Sequence, residues 1–215
     1  MFRNLVSAAK RVFQLQPPSQ QHLFSLTTEK ELAAWEHYSD KSFGGLSTSN
    51  FGLGSEGKAV FWGDLSLELD QDKVVRIKKS GFAGLNTKRD YGIFDLAPFD
   101  VIEMRLKGDG RAYMTSLRTE NWVDRAIADD NSWHHVIHTS NGEWKIYKLA
   151  IKDYKRTWHG RVLEEQCEIN LSRIVGMGIH VTARTMAGEI QGPGPYRLEL
   201  DWMRAVRTKD FHRDF

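Results

Sequence analysis

The chain has 215 residues, 40% of them hydrophobic and 27% charged, and a formal net charge of +2. That balance furnishes one domain with a sizeable core and a soluble surface, and its dispersed charge lacks the concentrated basic footprint of a nucleic-acid binder. The single cysteine, Cys167, excludes an internal disulfide and any multi-cysteine metal or cluster site built from this chain alone, and no apolar run approaches the ~18 residues of a membrane-spanning helix.

The chain opens on a basic amphipathic pattern. Phe2, Leu5, Val6, Ala9, Val12 and Phe13 fall near helical spacing among Arg3, Lys10 and Arg11, with no acidic residue before Glu29. This predicts a short helix of the kind that directs import into a mitochondrion; chloroplast import and a retained helix packed on the domain are the alternatives. Gln16–Gln21, containing Pro17-Pro18, is the one clear linker. The expected organisation is residues 1–21 as N-terminal segment and linker, 22–207 as the folded domain and 208–215 as a polar tail.

Past the linker, His22–Leu26 suits a first strand. Thr28 and Glu31 then have capping-box spacing for a short helix carrying Leu32 and Trp35. From Asp40 onward the signals are short strands divided by turn chemistry: Ala59–Trp62, Leu65–Leu69, Val74–Ile77, Ser132–His138, Trp144–Leu149, Ile174–Val181 and Tyr196–Val206. Between Val101–Lys107 and Ala112–Arg118 lies Asp109-Gly110, and the flanking alternation reads as a β-hairpin with Ile102, Met104 and Leu106 on its buried face. Leu198, Leu200 and Trp202 likewise oppose Arg197, Glu199 and Asp201. Many short strands with little helical periodicity predict an all-β, antiparallel sandwich or barrel.

Tests for chemistry are mostly negative. There is no Walker loop, HExxH motif or GxSxG elbow, and Gly108-Asp109-Gly110 fails as a dinucleotide fingerprint because Tyr113 stands where its third glycine belongs. His134 and His138 share a strand face while His135 points away, so three metal ligands do not converge there. Glu199 and Asp201 form an acid–base pair only if one of them carries a raised pKa; Asp40 with those two carboxylates would make a calcium site only if loops gathered them. Gly44-Gly45 and Ser47 read as local turn geometry. No catalytic residue, cofactor or metal is assigned, and the expectation is a protein that is not an enzyme.

Several motifs carry a family resemblance. Trp35–Phe51 (WEHYSDKSFGGLSTSNF), Ala59–Leu69, SGFAGLNTK at Ser80–Lys88, Phe99–Trp122 and RLELDWMRAV at Arg197–Val206 resemble, in that order, the complex I intermediate-associated protein family, assembly factors for mitochondrial NADH:ubiquinone oxidoreductase. The resemblance implies a galactose-binding-like jelly roll without known catalysis. It also implies a chaperone-like factor in the mitochondrial matrix, peripheral to the inner membrane, that binds a membrane-arm intermediate together with complex I subunits and other assembly factors. A carbohydrate-binding module and a stably bound accessory subunit are the alternatives. Loops of a rigid sandwich would present the partner contacts. The candidates are Asp109 and Arg111 in one turn, Arg118, Glu120, Asn121 and Trp122 around the next loop, and Arg156, Trp158 and Arg161 in a basic-aromatic segment.

Overall fold

A computed structural model describes residues 18–72, 77, 80–120, 131–158, 161–184 and 191–208. The amphipathic segment, most of the Val74–Ile77 candidate strand, Asn121, Trp122 and nearly all of the tail lie outside the described residues. In chain order the strands are β1 (Gln20–Ser25), β2 (Trp35–Ser39), β3 (Asn50–Leu53), β4 (Ala59–Leu65), β5 (Phe82–Thr87), β6 (Val101–Lys107), β7 (Ala112–Thr119), β8 (Asn131–His138), β9 (Trp144–Ala150), β10 (Lys155–Trp158), β11 (Arg161–Val162), β12 (Ile174–Thr182) and β13 (Gly194–Val206). One sheet runs β3-β4-β13-β6-β9 with β1 also on β13; the other runs β11-β10-β8-β7-β12-β5-β2, and the pairs are antiparallel. Inward rows such as Ile102, Met104 and Leu106 of β6 and Met177, Ile179 and Val181 of β12 meet in one apolar core, so the predicted all-β sandwich is what the chain forms.

The capping box is present: the Thr28 hydroxyl accepts from Glu31 N–H, and the Glu31 carboxylate reaches back to Thr28 N–H, starting α1 (Glu29–Leu32). Trp35 is not in that helix. It opens β2 and is buried against Phe24, their rings 4.8 Å apart, because a large ring gains more by core burial than from extending a one-turn helix.

Two further expectations change. The run over Val101–Arg118 is not a hairpin: β6 pairs with β13 and β9, whereas β7 pairs with β8 and β12 in the opposite sheet. The Gly108–Arg111 connection crosses from one sheet to the other, with Gly110 at φ 89°. Asp109 holds the crossing by accepting from Tyr113 Oη–H, Arg197 N–H and Arg111 N–H. Apolar alternation is the same whether neighbouring strands pair or face each other, so the pattern alone could not separate an arch from a hairpin. In β13 the register shifts between Leu200 and Trp202. This bulge returns Met203 and Ala205 to the core and turns Trp202 outward under Arg204, whose guanidinium carbon is 4.6 Å from the ring centroid. Gly63-Asp64, which separates the expected strands Ala59–Trp62 and Leu65–Leu69, lies inside β4, and no strand continues past Leu65.

Asp40 ties the end of β2 to the loop before β3 and to the start of β5. Fully buried, its carboxylate accepts from Ser47 N–H at 2.9 Å, Ser47 Oγ–H at 2.8 Å, Gly81 N–H at 2.5 Å and Phe82 N–H at 3.2 Å. Gly45 must lack a side chain, because a Cβ there would sit 2.3 Å from the Asp40 carboxyl carbon. Asp40→Ala leaves those buried donors without an acceptor and is expected to cost about 3–5 kcal/mol. Urea unfolding checks this, and a loss below about 1 kcal/mol would refute the role given to Asp40.

Candidate functional site

The outward face of the seven-stranded sheet is polar and partly buried, with the Arg118 guanidinium beside a row of neutral groups. Register places Asn86 of β5, Gly178 of β12, Ser116 of β7 and His134 of β8 in one row across four strands. Tyr38 of β2 and His180 of β12 flank Gly84 in the next row. Absent side chains make room for the others. A Cβ on Gly178 would lie 2.3 Å from Asn86 Oδ1, 2.6 Å from Ser116 Oγ and 3.0 Å from His180 Nε2, and one on Gly84 would lie 2.4 Å from Tyr38 Cζ. The polar groups therefore fold flat over the glycines and converge.

They are joined by hydrogen bonds. His180 Nδ1 is 3.0 Å from Tyr38 Oη, and its Nε2 is 2.9 Å from Ser116 Oγ. His134 stands edge-on to His180 with ring centroids 5.4 Å apart and bonds through Nδ1 to Thr157 Oγ1. Asn86 Oδ1 is buried without a donor. Burial disfavours a charged imidazole, so His134 is pushed down to about 4. His180 lies well below its ordinary value, first through burial, then through the His134 and Arg118 charges. Burial raises the Tyr38 hydroxyl to about 12. Both imidazoles are thus neutral near pH 7, each able to donate through one nitrogen and accept through the other.

Ser116, His180 and Tyr38 have the spacing of a nucleophile, a base and an orienting group, but two features oppose that chemistry. The third member is a neutral phenol and not a carboxylate able to stabilise an imidazolium, and the burial that depresses His180 weakens it as a base. What remains is a rigid set of neutral hydrogen-bonding groups. Sequence reasoning passed over Tyr38, Asn86, Ser116 and His180. Their one legible signal is Gly176-x-Gly178-x-His180, which marks an open row on one face of a strand.

The predicted partner residues are dispersed. Arg111 donates to the carbonyls of Gly192, Pro193 and Pro195 and so latches the start of β13 to the inter-sheet crossing, with Asp109 beneath. Arg118 crosses Gly176 and donates to Thr87 O at 2.7 Å. Glu120 forms a two-pronged ion pair with Arg173. Arg156 bonds Asn131 Oδ1, Arg161 is exposed on β11, and Trp158 at 42% exposure is the outward aromatic of that edge. His135 faces Tyr154, away from His134, and β8 is an interior strand rather than an edge.

The six-stranded sheet presents the opposite character. Glu103, Glu199 and Asp201 are buried on its outward side beneath cations: Glu103 under Arg204 and Lys148, Glu199 under Arg197 and Lys107, Asp201 under Lys58 and Arg105. Burial alone would raise Asp201, but Lys58 and Arg105 outweigh it and hold the carboxyl below its usual value. Neither it nor Glu199 is arranged as a general acid. Asp40 has its oxygens committed to Ser47, Gly81 and Phe82, and among the described residues no three His, Cys, Asp or Glu side chains gather as a metal site.

With the geometry known, comparison with other proteins is informative. The family description Complex I intermediate-associated protein 30 matches residues 24–200, which span α1 and the strands of both sheets. The chain belongs to this family. Relatives named "Complex I intermediate-associated protein 30, mitochondrial" include those of Drosophila melanogaster, 29% identical over 84% of this chain and 61% of that one. Those of Neurospora crassa (28%, 97% and 80%) and Mus musculus (26%, 86% and 56%) carry the same name. The chain thus spans only about three fifths of the fly and mouse proteins.

Among solved structures it is similar to the family 11 carbohydrate-binding module of a Clostridium thermocellum cellulosomal cellulase, with 13% identity, a TM-score of 0.55 and coverage of 90% of this chain and 98% of that module. A family 30 carbohydrate-binding module gives 10% identity, a TM-score of 0.51 and 91% coverage of both. At such identities the likeness establishes the fold alone, an antiparallel jelly-roll β-sandwich.

Neutral burial of His134 has a measurable consequence. In the unfolded chain the imidazole titrates near 6.5, and in the folded chain near 4, so the associated stability is complete above about pH 6.5 and is lost as pH falls from there towards 4. The expected loss at pH 5 relative to pH 7.5 is about 2 kcal/mol from His134. Urea unfolding at the two pH values should show at least that loss, because His180 adds to it, and His134→Gln should remove the His134 share while leaving the His180 share. Equal slopes in both proteins would contradict the assignment.

Proposed function

We propose that this chain is a non-enzymatic assembly factor for mitochondrial respiratory complex I, in the matrix and peripheral to the inner membrane, that binds a membrane-arm intermediate. The family match over residues 24–200 carries the reading, and the relatives' shared name supplies the compartment and the complex. A stiff sandwich with internally bonded crossings suits the task, because it can present a fixed surface to an unfinished subunit without covalent chemistry. Disrupting the gene should lower assembled complex I and accumulate its subassemblies while other respiratory complexes are unchanged. Re-expression of the wild-type chain should restore assembly. Normal complex I on native gels after disruption would refute the proposal, and persistence of the chain in the mature enzyme would make it an accessory subunit instead.

A second reading, saccharide recognition, is favoured by one observation: the neutral hydroxyl, amide and imidazole row over Gly178. Such groups match sugar hydroxyls, which both donate and accept. One solved family 11 module is described in complex with a β-1,3-1,4-mixed-linked tetrasaccharide. Calorimetry of the purified chain with that tetrasaccharide separates the readings. Binding that disappears in His180→Ala supports the saccharide, and an absence of heat leaves this face to assembly.

A further inference from the structure

Two planar side chains lie flat on the outward face of the seven-stranded sheet, each over a glycine. Tyr38 reaches from β2 across Gly84 of β5 to His180 of β12, where its hydroxyl is 3.0 Å from Nδ1. A Cβ on Gly84 would lie 2.4 Å from Tyr38 Cζ, 2.5 Å from Cε1 and 2.5 Å from Oη. Near-equal distances to neighbouring atoms put that point beneath the ring face and not beyond its edge, so the phenol is laid down on the sheet with its other face turned outward. Arg118 runs the opposite way, from β7 across Gly176 of β12 to the carbonyl of Thr87 in β5, 2.7 Å from Nη2. A Cβ on Gly176 would lie 2.3 Å from Nη2 and 2.8 Å from both Cζ and Nε, so the guanidinium plane covers its glycine in the same manner. Neither group could approach the backbone so closely over a residue with a side chain.

Gly178 stands between these platforms on β12, midway from Gly176 to His180, the residue paired with Gly84. The platforms are thus separated along β12 by roughly 13 Å at the rise of a strand. Asn86 Oδ1, Ser116 Oγ and His180 Nε2 all reach over Gly178, and Asn86 Oδ1 lacks a donor. Along the strand the face therefore reads flat, polar, flat. That order suits a linear saccharide, whose pyranose rings turn apolar C–H faces to flat groups while their hydroxyls both donate to and accept from neutral amide, hydroxyl and imidazole groups. A nucleotide chain fits less well, because its phosphates call for cations along the backbone and the middle of this track is neutral.

We infer that a linear, uncharged saccharide lies along β12, with one ring stacked on the Tyr38 phenol, the next held over Gly178 by Asn86, Ser116 and His180, and a further ring stacked on the Arg118 guanidinium. This rests on the saccharide reading above and adds to it the length and direction of the ligand.

Calorimetry with the disaccharide, trisaccharide and tetrasaccharide of mixed-linked β-1,3-1,4-glucan tests it. Affinity should rise about tenfold or more from disaccharide to trisaccharide and change by less than about twofold beyond it. Tyr38→Leu removes a ring and Arg118→Lys removes a plane while keeping its charge, and each should return the trisaccharide to about the disaccharide's affinity. In the wild-type chain the trisaccharide should shift the amide resonances of Gly84, Gly176 and Gly178, which tests the placement without any variant. Affinity independent of length, either variant binding as wild type does, or shifts confined to other residues overturns the inference and leaves saccharide recognition standing. No binding of any of these saccharides, or tighter binding of a uridine trinucleotide, overturns both.

Discussion

The fold depends on one buried carboxylate. Asp40 stands where β2 ends, and through Ser47, Gly81 and Phe82 it ties the Gly44-Gly45 turn to the start of β5. Those segments are far apart in sequence, and a charge-assisted cluster reinforces the β2–β5 pairing where it ends. It also explains two family motifs at once. SDKSFGGLS supplies the carboxylate, the paired glycines that clear it and the serine that bonds it, and SGFAG supplies the backbone donors from the other side.

Around that fixed point the sandwich exposes two outward faces of contrasting electrostatics. On the six-stranded sheet, carboxylates lie beneath longer cationic side chains whose stems cover them, giving a stiff and outwardly basic lattice. On the seven-stranded sheet a row floored by glycine holds neutral groups, its histidines uncharged at physiological pH, with the Arg118 guanidinium alongside. A protein that only had to remain folded would need neither arrangement. Two chemically distinct faces allow separate contacts without mutual interference.

Much of the architecture was legible in the chain. Most of the longer strands, the capping box and the core rows of β6 and β12 follow from period-two alternation and local turn chemistry, whereas β2, β3, β5, β10 and β11 do not, and the expected strand Leu65–Leu69 does not form past the end of β4. Which sheet each strand joins did not follow, since Asp109-Gly110 serves an arch as readily as a hairpin and the deciding bonds, from Arg111 to Gly192, Pro193 and Pro195, are distant in sequence. The bulge near Asp201 was likewise invisible, although it decides that Trp202 faces outward. The polar row escaped for the same reason: Tyr38, Asn86, Ser116 and His180 come from four strands whose adjacency is a property of topology.

The role proposed for this jelly roll is work on unfinished complex I. Complexome profiling of mitochondria carrying the tagged chain tests it most directly. The chain should migrate with partial assemblies of complex I and be depleted from the mature enzyme. Migration only as a free protein, or with an unrelated complex, would contradict it.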